Sequence, residues 1–511
     1  MCLAAAALLA GCASFEFDVA RTTSAAYIGS PSEAIAQLWS APGAGDESLS
    51  GFLLLADGLD AFVARVELAR RAQHTLDLQY YIIHSDETGK LLAREVVAAA
   101  DRGVRVRILL DDIYAADADR EILALASHPN IEVRLFNPWR RRASAVGRAI
   151  DFLSHVGRLN HRMHNKLLVA DAAAVILGGR NLGDEYFGLH AGLDFRDLDV
   201  MALGPAAREA GQSFDEYWNS RFAVPAEGIQ LRGPSLPFGQ LRSALEEHAQ
   251  AMGASPYVRA LSDSPLARQF AANSLAAENA RSRVLADHPE KISSRHAREH
   301  PDLVTQLRAQ LGDPRQELLI TSPYFVPGRD GVAVLSGLVG RGVRVAVLTN
   351  SLAATDVPLV HAGYARYRRA LLRGGVTLYE LKPVTAADRA RVREQRFGSA
   401  NASLHAKAIC IDRRVLFVST LNIDPRSIRY NTEIGIVIES ERLAQQAVSM
   451  FEYITGPALS YEVRLGAAGG LEWHSTDEGR ERIDRAEPRT SLWERFKNGL
   501  LRYVPFLEQQ T

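Results

Sequence analysis

Asn160-His161-Arg162-Met163-His164-Asn165-Lys166, with Asp171 five residues on, returns in the second half of the chain as Ser403-Leu404-His405-Ala406-Lys407, with Asp412 at the same remove. Both copies read His-x-Lys-x4-Asp, and 17 residues beyond each histidine stands an asparagine, Asn181 and Asn422. Working outward, Arg102-Gly103-Val104-Arg105-Val106 recurs as Arg341-Gly342-Val343-Arg344-Val345, the glycine lying 61 residues before His164 and 63 before His405. Each copy follows a stretch of helical period (residues 89–101 and 332–340) and runs into an apolar strand (108–110 and 346–348). A further strand candidate precedes each helix, at 75–83 and 318–322. Strand, helix, glycine turn, strand is a βαβ unit. Two of them at matched spacing make the chain an internal duplication of α/β class, two α/β domains with largely parallel sheets and a site where the two motifs meet.

Composition fits that assignment and excludes others. Of 511 residues 47% are apolar and 23% charged, an ordinary globular balance that rules out disorder and collagen-like repeats. Lys and Arg number 59 against 60 Asp and Glu, so no global basic field draws the protein to nucleic acid. Three cysteines (Cys2, Cys12, Cys410) are too few for a disulfide scaffold or a structural zinc cluster. No apolar run approaches the ~20 residues that span a bilayer. Residues 1–12 form an uncharged apolar segment ending Leu9-Ala10-Gly11-Cys12. This resembles a bacterial lipobox, in which the signal is removed and Cys12 acylated. No Lys or Arg precedes the apolar run, and the expectation is that the true start lies upstream of Met1. Lipid anchoring through Cys12 places the protein at a membrane of the bacterial cell envelope, with Ala13 pointing to the outer membrane. The expected organisation is a first domain at 35–223, a connecting segment with surface helices at 224–301, a second domain at 302–470, and an amphipathic tail at 471–511.

The doubled motif suits attack on phosphorus. Residues two apart on a strand face one way, so His and Lys reach one spot. An ammonium offsets the charge of phosphate oxygens, an amide donates to them, and of two facing histidines one attacks while the other protonates the departing oxygen. Beyond the motif, Gly178-Gly179-Arg180-Asn181-Leu182-Gly183, the stretch Asn350 to Asp356, His361-Ala362-Gly363-Tyr364 and Asp424-Pro425-Arg426-Ser427 carry a resemblance. After about residue 35 the chain resembles the phospholipase D superfamily, in its cardiolipin-synthase-type branch. The resemblance implies two phospholipase-D-like domains, no metal or other cofactor, and a double displacement through a phosphohistidine. His164 is then the nucleophile and His405 the general acid, later base. Lys166, Lys407, Asn181, Asn422, Thr420 and Arg180 hold phosphate oxygens. Arg180 stands where many relatives have Ser, and Thr420 keeps a hydroxyl in the second half. Asp171 and Asp412 complete the catalytic motifs, bracing local turns rather than touching phosphate.

Each histidine needs a carboxylate on its other ring nitrogen. In this family it lies some 25 to 35 residues downstream, which assigns Glu433 to His405 and either Asp197 or Asp199 to His164. His361 and Tyr364, one helical turn apart, are candidates for a substrate pocket. The segment 138–166 carries Arg140, Arg141, Arg142, Arg148, Arg158, Arg162 and Lys166 against the single acid Asp151, either a solvated basic loop or a landing patch for anionic lipid, with Trp139 and Phe152 inserting. For the tail, Leu492-Trp493, Phe496, Leu500-Leu501 and Tyr503 to Leu507, a docked terminal helix is the ordinary explanation and an interfacial membrane helix the other. The expected function is phosphatidyl transfer to make cardiolipin from phosphatidylglycerol with phosphatidylglycerol or phosphatidylethanolamine, at a membrane surface and by a monomer with internal pseudo-twofold symmetry. Hydrolysis to phosphatidic acid is the alternative, and a nuclease of the same superfamily the more distant one. A helper protein is not legible in the sequence.

Overall fold

The computed structural model describes residues 19–29, 32–39, 48–142, 144–190, 194–229, 236–293, 299–383 and 402–501. The first half supplies β1 (Leu49–Leu55), β2 (Thr75–Tyr80), β3 (Arg105–Asp111), β4 (Ile131–Phe136), β5 (Leu167–Ala170), β6 (Ala174–Gly178), β7 (Asp194–Arg196), β8 (Asp199–Leu203) and β9 (Ala223–Pro225). The connecting segment supplies β10 (Glu278–Ala286). The second half supplies β11 (Glu317–Thr321), β12 (Arg344–Asn350), β13 (Thr377–Leu381), β14 (Ala402–Leu404), β15 (Ala408–Ile411), β16 (Val415–Ser419), β17 (Ile434–Glu439) and β18 (Ser460–Leu465), then the hairpin β19 (Leu471–Asp477) and β20 (Arg480–Asp484).

Among the described residues eighteen strands form one continuous sheet. The pairings run β9-β4-β3-β2-β5-β6-β8-β1-β10-β17-β16-β15-β11-β12-β13-β18-β19-β20. The order 4-3-2-5-6-8 of the first half is repeated as 13-12-11-15-16-17 in the second, with β1 and β10 stitched between. The connecting segment is therefore more than a surface bridge: β10 is the strand that joins the halves. The expectation of largely parallel sheets is corrected. Parallel pairing in this sheet is confined to β2–β3–β4 and β11–β12–β13. β5 and β6, like β15 and β16, are joined by three residues, far too few for the crossover that parallel strands need.

The repeated turn is explained by its glycine. After the helices Glu87–Asp101 and Gly328–Gly340 the chain reverses at Gly103 (φ +92°) and Gly342 (φ +88°), a conformation that costs glycine nothing. Side chains then alternate across the sheet. Leu167 and Val169 join a core shared with Leu319, Leu348, Leu416 and Ile434 of the other half, whereas Leu168 and Ala170 face the first half's own helices. One apolar core thus locks the halves together and fixes the two motifs relative to each other. No helix among the described residues is long and apolar enough to cross a membrane.

Candidate active site

The two motifs meet, and the backbone shows why. Met163 forms a parallel bridge with Thr432, and His164 N–H donates to the Thr432 carbonyl at 2.9 Å. In mirrored fashion β14, which leads into His405, pairs parallel with β7, and His405 N–H donates to the Arg196 carbonyl at 2.8 Å. The ends of β3 and β12 clamp the residue ahead of each histidine: Asp111 accepts from Met163 N–H at 2.9 Å, and Asn350 bonds both backbone groups of Leu404. The motif residues precede the strands rather than lying on them, since β5 starts at Leu167 and β15 at Ala408.

Because each histidine pairs with the opposite half, the carboxylates are exchanged. His164 Nδ1 lies 2.8 Å from Glu433, and His405 Nδ1 lies 2.5 Å from Asp197. The expectation of pairing within a half is corrected, and of the two aspartates it is Asp197 that reaches a histidine. Asp199 instead holds the buried guanidinium of Arg65 at 2.8 Å and braces Arg180. Glu433 is held further by the Thr420 hydroxyl at 2.5 Å and, through its backbone N–H, by Asp287 at the end of β10.

The histidine and lysine of both motifs are buried. Lys166 Nζ donates to the His164 carbonyl at 2.7 Å, and Lys407 Nζ folds onto the His405 carbonyl in the same way. Burial, then the neighbouring ammonium groups of Lys166 and Lys407, holds His164 well below the ordinary imidazole range, so it is neutral. His405 is lowered by burial and Lys407, but Asp197 opposes this. Burial pushes Asp197 up, yet His405 and Lys407 outweigh it and keep it ionised far below the usual carboxylate range. Glu433 is raised by burial to about 7. Burial lowers both lysines, Lys166 well below the ordinary ammonium range and Lys407 to about 8, which a bound anion would reverse.

Several expected site residues do other work. Asp171 and Asp412, both in the left-handed region (φ 51° and 50°), accept backbone N–H groups of Gln73, His74 and Thr75 and of Arg315, Gln316 and Glu317. They brace the turns and are withdrawn from the catalytic set. Arg180 is no phosphate ligand, because its guanidinium is buried among the carbonyls of Leu55, Ala56, Tyr186 and Asp197. Thr420 spends its hydroxyl on Glu433 rather than on phosphate. Its counterpart is Gly179, where a Cβ would lie 2.0 Å from Asp197. Asn181 is committed too, donating to the Tyr186 hydroxyl at 2.7 Å, while the buried carbonyl oxygen of Asn422 accepts no hydrogen bond from the described residues. His361 and Tyr364 leave the pocket assignment. Both are buried beside Arg368, which pairs with Glu380 and Glu487.

The basic segment is no continuous patch either. Arg142 is buried between Asp112 and Asp119, Arg158 caps Asn137 and Pro138, and Arg162 lies by Asp111 and over Trp139. Arg140 and Arg141 are exposed and Arg148 half-buried; the Phe152 side chain, Cys12 and residues 503–507 lie outside the described ones. Sequence reasoning missed Tyr81, whose ring meets His164 edge-on at 4.9 Å and underlies Lys166, and also Tyr186, edge-on to His405 at 5.3 Å, and Phe195, tilted against it at 4.8 Å. An aromatic at the end of β2 was the available signal.

Comparison with known proteins agrees with this geometry. A family profile described as "Cardiolipin synthase, PLD-like domain" matches residues 66–218 and 307–455. The chain belongs to that family of phospholipase-D-like enzymes and is a phosphatidyltransferase of the cardiolipin-synthesising type. It is similar to cardiolipin synthase C of Escherichia coli K12, with 42% identity over 89% of this chain and 95% of that one. It is also similar to a cardiolipin synthase of Oceanobacillus iheyensis, at 24% identity over 77% of this chain and 66% of the relative. Among solved structures, phosphatidylserine synthase of Haemophilus influenzae Rd KW20 shares the fold, with a TM-score of 0.53 at 14% identity over 81% of this chain and 90% of that one.

Proposed function

We propose that the enzyme moves a phosphatidyl group onto the terminal hydroxyl of phosphatidylglycerol through a covalent intermediate on His164, giving cardiolipin. The observation that carries this is the pair of buried imidazoles, each backed on Nδ1 by a carboxylate of the other half and free to present Nε2. His164, held neutral, attacks phosphorus; the bond to the head-group alcohol breaks, and His405 passes its proton to the departing oxygen. The firmly ionised Asp197 favours this assignment, because it stabilises an imidazolium on His405. Phosphatidylglycerol then gives its hydroxyl proton to His405 while its oxygen attacks phosphorus, the P–N bond breaks and His164 is freed. Lys166, Lys407 and the amide of Asn422 hold the phosphate oxygens. A phosphatidylglycerol donor releases glycerol; a phosphatidylethanolamine donor releases ethanolamine. Purified protein in EDTA with vesicles of both lipids should give cardiolipin by mass spectrometry. Phosphatidic acid alone would make water the acceptor, and no product would overturn the proposal.

Membrane docking is supported by the helix Leu492–Leu501. It is docked, but by its polar side: Asn498 is buried near His361, while Leu492, Trp493, Phe496 and Leu500 are 55–81% exposed on the opposite face. Trp493 and Phe496 stack at 5.6 Å, with Lys497 over the indole. An outward apolar face with a basic flank fits the interfacial region of a bilayer, and acylation of Cys12 would add a second anchor. Trp493→Glu with Phe496→Glu should leave melting unchanged, since both are exposed. The same pair should weaken sedimentation with phosphatidylglycerol vesicles about tenfold or more. Undiminished binding would retire this surface.

A further inference from the structure

The first half is hollow beside its histidine. A cavity runs between the helix Glu87–Asp101, the helix Asp119–Ala126 and the helix Phe238–Gly253 that the connecting segment lays across them. Its wall is almost wholly apolar, with Leu92 and Val96 from the first helix, Ile122 from the second, Leu241 and Leu245 from the third, and Leu78 from the sheet beneath. Tyr81 and Asp111 also line it. These two touch the motif: the Tyr81 ring packs on His164, and Asp111 holds Met163. Exposed His84 and Ser85 on its wall give it an opening to solvent. The second half differs. The bridge of Ile83 to Leu182 is matched there by Phe325 to Ile423, and Phe325 packs on Tyr364 with ring centroids 6.1 Å apart. A bulky aromatic pair stands where the first half keeps aliphatic walls and space.

We infer that this cavity is an acyl-chain site, taking one chain of the phospholipid whose phosphate lies between the two histidines. The inference rests on the reading of the site as a phosphatidyl-transfer centre. A phospholipid is the ligand whose two ends match the two environments, an anionic phosphodiester for buried Lys166 and Lys407 and a hydrocarbon tail for a wall of Leu, Ile and Val. Tyr81 lines the cavity and packs on His164, so the two environments adjoin. A chain seated beside Tyr81 approaches from the His164 side and orients the lipid with its phosphorus toward that imidazole.

Two measurements test this. A phosphatidylglycerol carrying a photoactivatable diazirine on one acyl chain, irradiated with the full-length protein in detergent micelles, should label peptides covering residues 89–96 and 118–125. Labels confined to other segments would overturn the inference. Ala93→Phe, which grows a ring from the cavity wall, should lower transfer from dioleoyl phosphatidylglycerol at least tenfold relative to transfer from the dihexanoyl lipid. An unchanged ratio in a variant that melts like wild type would also overturn it; if the variant does not fold, the labelling decides. Wild type that transfers from neither lipid counts against the transfer reading and not against the cavity, which the labelling still reports.

Discussion

His164→Ala should abolish phosphatidyl transfer, by about 10⁴-fold or more, and leave no covalent phospho-enzyme, whereas His405→Ala should abolish turnover yet still capture a phosphatidyl group. The two losses differ because the two imidazoles live in different fields. His164 is buried beside two ammonium groups and backed by a glutamate raised to about 7, so it stays unprotonated and its lone pair is available. His405 is backed by an aspartate that remains ionised, so it is the better place to store a proton. A donor whose leaving group departs without a proton, such as a p-nitrophenyl phosphodiester, removes the need for His405 in the first half-reaction. With that donor, His405→Ala should accumulate an acid-labile, base-stable adduct that mass spectrometry places on residue 164. An adduct on His405 in the His164→Ala protein would reverse the roles. The pH dependence of capture carries the same sign. Protonation of His164 removes the nucleophile, and its lowered pKa moves that loss to more acidic solution. Glu433, raised to about 7, takes up the proton first and no longer holds the lone pair on Nε2, so capture should fall as pH falls through about 7.

The doubling was legible because it is a matter of spacing. His-x-Lys-x4-Asp, the glycine turns at 103 and 342 and the asparagines at 181 and 422 stand in the same order in both halves, and local patterns of this kind survive without knowledge of the fold. What spacing does not carry is which side chain a group meets across the interface. The partners of His164 and His405 depend on the bridges Met163–Thr432 and Leu404–Arg196, between segments more than 200 residues apart. Distance along the chain favoured the wrong half for both. Arg180 misled for a related reason. A guanidinium beside a glycine pair looks like an anion ligand until the carbonyls of Leu55 and Ala56 are brought to it by β1, a strand from the far end of the domain. The tail helix is a third case. Its periodicity announces an apolar face, but only docking decides whether that face is turned in or out, and the burial of Asn498 turned it out.

Exchange of the carboxylates has a kinetic signature that pairing within each half would invert. Glu433→Gln should slow capture of the phosphatidyl group by His164 by about 10²- to 10⁴-fold even with an activated donor, because the amide no longer fixes the imidazole with its lone pair on Nε2. Asp197→Asn should leave activated capture close to wild type. It should slow turnover of natural phosphatidylglycerol to a similar extent, since only then must His405 hold and release a proton. If each histidine used the carboxylate of its own half, Asp197→Asn would be the variant that loses activated capture, so one stopped-flow comparison decides between the arrangements. Asp199→Asn separates position from charge. It lies two residues from Asp197 but pairs with buried Arg65, so removing its charge should cost about 3–5 kcal/mol of stability by stranding that guanidinium. The fraction that remains folded should capture at the wild-type rate, because nothing between Asp199 and either imidazole carries the proton. A two-residue step along one strand end thus divides chemistry from folding. The division also gives the interlocked halves a reason: neither motif histidine has its carboxylate in its own half, so the site exists only when both are folded against each other.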